Sequence, residues 1–305
     1  MLEEELFRGK VAIITGGAKG IGLGLARACL RHDMKVVLAS FSQESLDRAL
    51  QGFQQYGDAV SACRADVRKN EEWAHLVRFT LETYGAIDYL FNNAGVSFTK
   101  EVDNLSDEEW QWIFDVNFWG CVYGYRHVKP VMAEQAGGGH ISFTTSISNA
   151  CGQGYMVPYG CTKSALQTFA EGVYEEIRNQ GLGEKITIST IIPANVITEI
   201  NHNESSRPEN LKDFDASYTD RERGMSDLIN EMFSNPEENR CIDADTFGER
   251  VLDCISRGKF YVMPRRNLYE KLMFDRYLQI RRGDTPPDFN TALTQYMSME
   301  PYDFE

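Results

Sequence analysis

The sequence predicts a doubly wound α/β domain, a parallel sheet of about seven strands with helices on both faces. Three observations predict it. Short β-branched apolar runs alternate with helical stretches from the start of the chain onward. A glycine-rich turn joins the first strand to the first helix. No internal repeat or low-complexity linker interrupts the pattern, so residues 1–305 read as one domain large enough to bury a substantial core.

The elements follow in order. Lys10 to Thr15 reads as a buried strand, Gly22 to His32 as a helix, Lys35 to Ala39 as the second strand and Ser42 to Tyr56 as the second helix. Ala59 to Ala65, Ile87 to Phe91, His140 to Thr145, Ile186 to Ile192 and Lys259 to Met263 supply five more strands, with helical stretches between them. Right-handed crossovers then wind the sheet in both directions. Two segments break the rhythm. A polar, acidic insert at about 198–240 lies between the last two strands, with the length of a lid over a site. A C-terminal extension at about 264–305 opens with a basic helical stretch, Arg265 to Arg282, and continues through Pro286 and Pro287 to an aromatic, acidic end. Whether it packs over the core or over a neighbouring subunit stays open.

Composition narrows the function. Hydrophobic residues at 42% and charged residues at 25% are ordinary for a globular chain. A net charge of −14 repels phosphate backbones and anionic lipid, so neither nucleic acid nor a membrane is an expected partner. The acidic start MLEEELFRGK lacks the long apolar run of a secretory signal, and nothing reaches the length of a membrane-spanning helix. Seven scattered cysteines without a CxxC pair suggest reduced thiols in a cytoplasmic protein, and five dispersed histidines without HExxH point to no metal site.

The loop TGGAKGIG runs from Thr15 to Gly22, directly after the first strand. Gly16 permits a sharp turn, Gly20 lets backbone approach a pyrophosphate, and Gly22 lets helix and strand pack closely, with Ile21 between them. The helix N-terminus then offers N–H groups and a positive dipole end to the phosphates. NAD-binding folds place a carboxylate at the end of the second strand for the ribose hydroxyls. Here that place holds Ser40, while Lys19 within the loop is in reach of a 2′-phosphate. The pair favours NADP(H), with NAD(H) as the alternative. Asp66 and Val67 follow the third strand, where a side chain meets the adenine.

Tyr159 and Lys163 stand four apart in a helical stretch and so share a face. A phenol titrates near ~10, and a neighbouring ammonium lowers that value towards neutrality. Ser146 closes a strand upstream, where its hydroxyl is placed to bond a substrate oxygen. Asn92-Asn93-Ala94-Gly95 follows the fourth strand and Asn117 the helix after it. On these motifs, with Val196-Ile197-Thr198 after the sixth strand, the chain resembles a compact, single-domain short-chain dehydrogenase/reductase of TGxxxGxG and YxxxK type. The resemblance covers roughly Arg8 to Met263 and implies a Rossmann-type fold.

The resemblance implies roles. Asn117, Ser146, Tyr159 and Lys163 would be the catalytic tetrad. Tyr159 would exchange a proton with the carbonyl or alcohol oxygen and Ser146 would polarise it. Lys163 would lower the Tyr159 pKa and bond the nicotinamide ribose, and Asn117 would hold a relay water through a distorted helix. Asn93, Ala94 and Gly95 would lie along the cofactor, and Pro193, Val196 and Thr198 would meet the nicotinamide. The family's usual Pro-Gly is Pro193-Ala194 here, and alanine avoids positive φ. The extension is the second departure. Some relatives with a Pro-Ala-Asn turn and a long tail act on aryl-propanoid alcohols or related aromatic compounds.

Phe98, Ser148 and Tyr155 are placed to line an apolar or aromatic substrate pocket. Cys151 and Cys161 flank it as buried, inert thiols. Trp110, Trp112, Phe114, Phe118, Trp119, Tyr123 and Tyr125 crowd the stretch around Asn117, either as core of one long helix or, as the family implies, at an interface of a homodimer or homotetramer. The expected function is an NADP(H)-dependent oxidoreductase interconverting a carbonyl and a secondary alcohol. The competing class is a catalytically silent dinucleotide-binding regulator or scaffold, which would typically have lost the tyrosine or the lysine.

Overall fold

The computed structural model describes residues 6–194, 196–198, 200, 207–211, 218–234, 241–263 and 267–287. Seven parallel strands make one sheet in the order β3-β2-β1-β4-β5-β6-β7. They are β1 (Val11–Thr15), β2 (Lys35–Ser40), β3 (Val60–Arg64), β4 (Tyr89–Asn92), β5 (Gly139–Thr144), β6 (Ile186–Ile191) and β7 (Tyr261–Val262). The order reverses between β1 and β4, and in a parallel α/β sheet the crevice for a ligand opens at that switch, outside the carboxyl ends of the strands.

The apolar runs are continuous because both sheet faces are covered. Ala12, Ile14, Val36 and Leu38 pack under α1 (Gly20–Arg31), α2 (Gln43–Gln51) and α8 (Ala244–Ser256) through Leu25, Leu46 and Phe247. Ile13, Val37, Leu90 and Ile141 face the other way, under α3 (Asn70–Tyr84), α5 (Gly120–Glu134) and α6 (Val157–Asn179) through Trp73, Met132 and Leu166. Strand alternation thus divides one apolar sequence between two cores.

Three elements depart from the sequence reading. The second helix is shorter than Ser42 to Tyr56: Ser42 caps it by accepting from the Ser45 N–H, and it ends at Gly52 before a tight turn over Gln54–Ala59. The stretch from Trp110 to Tyr125 is not one regular helix. Helix α4 (Asp107–Phe114) passes into a π-helical turn, Asp115–Trp119, before α5 begins. The insert expected at 198–240 is not all loop, since it carries α7 (Asp220–Ser234). Parts of the insert lie outside the described residues. Of the extension, α9 (Asn267–Arg282) matches the basic helical stretch, and its aromatic, acidic end from 288 onward lies outside the described residues. No helix among the described residues is long and apolar enough to cross a membrane.

Candidate active site

A long cleft opens at the carboxyl ends of the strands, beside the switch point. Its floor is the glycine loop. Gly16 has a φ of +64°, which a side chain would strain, and a Cβ on Gly22 would collide with the Gly16 carbonyl oxygen and the Asn93 amide. The Thr15 hydroxyl ties this loop to the next strand's end, accepting from the N–H groups of Asn93 at 2.9 Å and Ala94 at 3.0 Å. The Asn93 amide donates to the Thr15 carbonyl at 3.0 Å. Lys19 is the N-cap of α1 and closes no side-chain bond onto the first turn, so those N–H groups face the cleft. A backbone shaped in this way, with an uncapped helix end above it, fits a pyrophosphate.

At the β2 end the wall is Ser40, Phe41, Ser42 and Ser45, opposite Asp66, Val67 and Arg68. Asp66 is the one carboxylate among the described residues lining the cleft, and Arg68 forks it at 2.7–3.1 Å. Burial alone would raise the Asp66 carboxyl, but the Arg68 guanidinium and Lys69 hold it below its usual range. Sequence reasoning missed Arg68, although an Asp-x-Arg at a strand end carries both charges in plain view.

At the other end Ser146, Tyr159 and Lys163 meet. Ser146 follows β5 and caps the next short turn, its hydroxyl accepting from the Ser148 N–H at 3.2 Å. Tyr159 and Lys163 sit on one face of the buried first turns of α6, which Pro158 starts. The Lys163 ammonium lies 5.6 Å from the Tyr159 ring centre and donates to the Thr144 carbonyl at 2.7 Å. Burial pushes the Tyr159 phenol up, and the Ser146 hydroxyl, hydrogen-bonded to it, pulls it back down. Burial lowers Lys163 to about 8, against the Cys121 thiol that raises it. The influence on the phenol in the protein alone is therefore the serine, where the sequence reading looked first to the lysine.

Asn117 lies in the π-helical turn, fully buried and off the cleft wall. Its side chain accepts from the Val96 N–H at 2.8 Å and donates to the Val96 carbonyl at 2.9 Å and to Thr162 at 3.1 Å. It thereby fixes the stretch after Gly95 against α6. The helix is distorted at Asn117, as the resemblance implies.

Gly16, Lys19, Gly20, Ile21, Ser40, Asp66, Val67, Asn93, Ala94, Gly95, Pro193, Val196 and Thr198 all line the cleft. Gly22 does not, lying beneath it as a packing contact. Ala194 is also on the wall and is not among the residues with positive φ. Of the three expected substrate contacts only Ser148 is on the wall. Phe98 is buried behind Trp112, stacked on it at 6.1 Å, and Tyr155 stands off the cleft with its carbonyl accepting from the Lys100 N–H at 2.8 Å. Trp112, Val116, Gln153, Met156, Met225, Leu228 and Ile229 line this end of the cleft instead. Cys151 is buried, whereas Cys161 is exposed, because its position in α6 turns it away from the face shared by Tyr159 and Lys163. No cluster of three metal-ligating side chains occurs among the described residues.

The model of the short chain dehydrogenase family matches residues 10–209. The chain belongs to the short-chain dehydrogenase/reductase family. It is an oxidoreductase of that family, whose cofactors are NAD or NADP. A short chain dehydrogenase/reductase from Burkholderia phymatum, in complex with NAD, is 28% identical with a TM-score of 0.86, covering 92% of this chain and 98% of that one. LigO from Sphingobium sp. strain SYK-6 is 27% identical with a TM-score of 0.71, covering 97% of this chain and 99% of its own. In sequence, the CLA biosynthesis dehydrogenase/reductase of Lactiplantibacillus plantarum is 26% identical over 280 residues, 92% of this chain and 96% of that protein.

Proposed function

We propose that this enzyme is an NADP(H)-dependent reductase or dehydrogenase that interconverts a carbonyl and a secondary alcohol on an apolar or aromatic substrate. The carrying observation is the cleft's two ends: a glycine cradle under a helix N-terminus at one, and a buried Ser146–Tyr159–Lys163 group beside an apolar wall at the other. The cofactor, when bound, supplies or accepts the hydride. The Tyr159 hydroxyl gives a proton to the carbonyl oxygen in reduction and takes it back in oxidation. Ser146 donates a hydrogen bond to the same oxygen and so favours the developing alkoxide. Lys163, held by the Thr144 carbonyl 5.6 Å from the phenol's ring centre, would bond the nicotinamide ribose, while Ser146 is the group that draws the phenol's pKa down. Asn117 keeps the Val96 stretch and the α6 face in register.

The preference for the 2′-phosphate is supported by the β2 end. Ser40 stands where a ribose-binding carboxylate would repel it, Lys19 lines the same cleft from the glycine loop, and Asp66 is already neutralised by Arg68. The substrate class is supported by Trp112, Val116, Met156, Met225, Leu228 and Ile229 around the reacting end. Helix α7 is the movable wall, closing over the substrate to exclude water. Trp119, 40% exposed among half-buried Phe118, Tyr123 and Tyr125, supports association of copies into a dimer or tetramer through this face.

The test is absorbance of reduced nicotinamide with NADH and NADPH against aryl ketones and aldehydes. NADPH should be preferred, and Tyr159→Phe should abolish turnover with NADPH binding kept. A clear preference for NADH refutes the cofactor reading, and full turnover by Tyr159→Phe refutes the mechanism. Ser40→Asp should raise the KM for NADPH by about tenfold or more through repulsion of the 2′-phosphate.

A further inference from the structure

The C-terminal helix reaches the catalytic loop. The Ser146 loop leaves β5 and makes one short turn, Ile147–Asn149, before running to Tyr159. This turn is buried, and although the Ala150 N–H closes onto the Ile147 carbonyl at 3.0 Å, the Asn149 and Ala150 carbonyls at its end find their partner outside it. Three contacts hold it. The Ile147 N–H donates to the Pro193 carbonyl at 3.2 Å, tying it to the loop after β6. The Asn149 amide donates to Gln167 on α6 at 3.2 Å. Arg276 on α9 donates through Nη1 to the carbonyls of both Asn149, at 3.2 Å, and Ala150, at 3.1 Å. Tyr269, Leu272 and Arg276 are spaced three and four apart and so share one face of α9. Leu272, with no exposed surface, packs with Ile147, Ala150, Cys151 and Ile192, and Tyr269 packs against the same cluster. The helix thus meets the loop with an apolar knob and, beside it, one charged N–H group shared by two carbonyls.

We infer that Arg276 is a positioning residue: by holding the Asn149 and Ala150 carbonyls it fixes the turn that sets the Ser146 hydroxyl against the reacting oxygen. The inference rests on the assignment of Ser146 proposed above. A charge-assisted bond to two carbonyls of one turn restrains it in rotation as well as in place. Without it, both carbonyls lose their partner in a largely buried cluster, and the turn relaxes to recover bonds elsewhere. The Ser146 hydroxyl, on the residue that caps the turn and accepting from its Ser148 N–H, moves with it. Small displacements of a group that acts on the reacting atoms lower the chemical step far more than ground-state binding.

The experiment compares Arg276→Ala and Arg276→Lys in the full chain, with the aryl ketone the unsubstituted enzyme turns over best. Arg276→Ala should lower kcat about tenfold, while the NADPH dissociation constant, read by its fluorescence, stays within about twofold. The kinetic isotope effect with deuterated NADPH should rise, because hydride transfer becomes more limiting. Arg276→Lys, which keeps a donating cation, should recover most of kcat. Unchanged kcat in Arg276→Ala overturns the inference. So does a fall in kcat matched by equal losses in NADPH binding and melting temperature, which marks a purely structural contact. If Arg276→Ala does not fold, Arg276→Met, which keeps much of the side chain's length and loses the donor, takes its place: a reduced kcat with a raised isotope effect and unaltered NADPH binding supports the inference, and kinetics equal to the unsubstituted enzyme overturn it. Ser146→Ala separates the two levels. Activity kept in that variant sinks the serine assignment itself, whereas activity lost there but kept in Arg276→Ala sinks only the role of α9.

Discussion

Glu222 lets the role of the α7 wall be tested by removing one carboxylate. It sits in the first turn of α7 with no exposed surface. One oxygen accepts from the Glu101 N–H at 2.8 Å and from the Asn104 amide at 2.9 Å, both in the loop after β4. The other accepts from the Thr219 N–H at 2.6 Å, while the Glu222 N–H donates to the Thr219 hydroxyl at 3.2 Å, a reciprocal helix cap. Burial would raise this carboxyl, but the Asn104 amide and the Thr219 and Glu101 N–H groups hold it down at about 2. It is therefore ionised throughout the working range of an enzyme. Each hydrogen bond to a charged acceptor contributes about 1.5–3 kcal/mol net, so the two bonds across segments tie α7 to the loop by about 3–6 kcal/mol at most. Water that reaches the freed groups as the segment opens recovers part, leaving about 2–3 kcal/mol, or a shift of about 30- to 150-fold between closed and open forms.

Glu222→Ala should then raise the KM for an apolar ketone by tens of fold, since Met225, Leu228 and Ile229 reach the cleft from this helix. The dissociation constant for NADPH should stay within about twofold, because the glycine cradle belongs to other elements. Glu222→Gln keeps a carbonyl oxygen for the two cross-segment donors but loses the charge, and should fall between the two. Steady-state kinetics give the KM values, and hydrogen exchange over 218–234 reports the opening directly. Faster exchange with an unaltered KM would refute α7 as the substrate wall. Equal rises in the substrate KM and the NADPH constant would show instead that Glu222 supports the whole cleft.

Other perturbations have signs set by the structure. His140 of β5 is buried against β6 with Thr187 at 2.7 Å, Ser189 at 2.9 Å and Ser142 at 3.0 Å, and burial lowers it to about 4. The unfolded chain takes that proton near ~6.5, so stability is full above that pH and falls by up to about 3 kcal/mol on acidification towards 4; urea midpoints should show this slope reduced in His140→Gln. Gly24→Ala drives a methyl group into the Ala244 carbonyl at the crossing of α1 and α8, where backbone meets backbone, and should cost about 2–3 kcal/mol by urea unfolding. Lys19→Ala should weaken NADPH more than NADH, read as a ratio of dissociation constants; equal weakening would remove Lys19 from cofactor selection.

Much of the dinucleotide half was legible because its geometry leaves little choice of residue. Gly16 must take positive φ and Gly22 must lie against a carbonyl, so both are glycine in any chain that builds this turn. Tyr159 and Lys163 needed only the helical period to be placed on one face. The substrate half carried no such constraint. An apolar wall accepts Met, Leu or Ile at many positions, and proximity in sequence to Tyr159 or Gly95 misled at Tyr155 and Phe98, which point behind the wall. Helix α7 escaped because the insert is mostly polar, yet Thr219-Asp220-Arg221-Glu222 has the spacing of a capping box and marks its start. The π-helical turn at Asn117 has no pattern of its own; the motif order, not the periodicity, pointed to it.

On the proposed substrate side of the cleft, charged groups anchor the loops beside the apolar cluster of Val96, Trp112, Val116, Met156 and Ile229, and those anchors have a functional consequence. The loop after β4 is pinned by Lys100 to Glu109 at 3.0 Å, with both side chains enclosed, the α7 segment by Glu222 to that same loop, and the Ser146 turn by Arg276. A buried ion pair adds little net stability over an apolar contact of the same size, because desolvation offsets the attraction. What it does add is direction: a carboxylate facing two specific N–H groups is satisfied in one register only. Apolar packing at these places would let the loops slide, and the hydroxyls of Ser146 and Tyr159 would lose their fixed distance from the substrate oxygen. Charged anchors at the loop ends leave the wall residues between them, Met225, Leu228, Ile229 and Met156, free to change size without moving the catalytic groups. Substrate range in this chain is therefore expected to follow substitutions in the wall, and turnover to follow substitutions in the anchors.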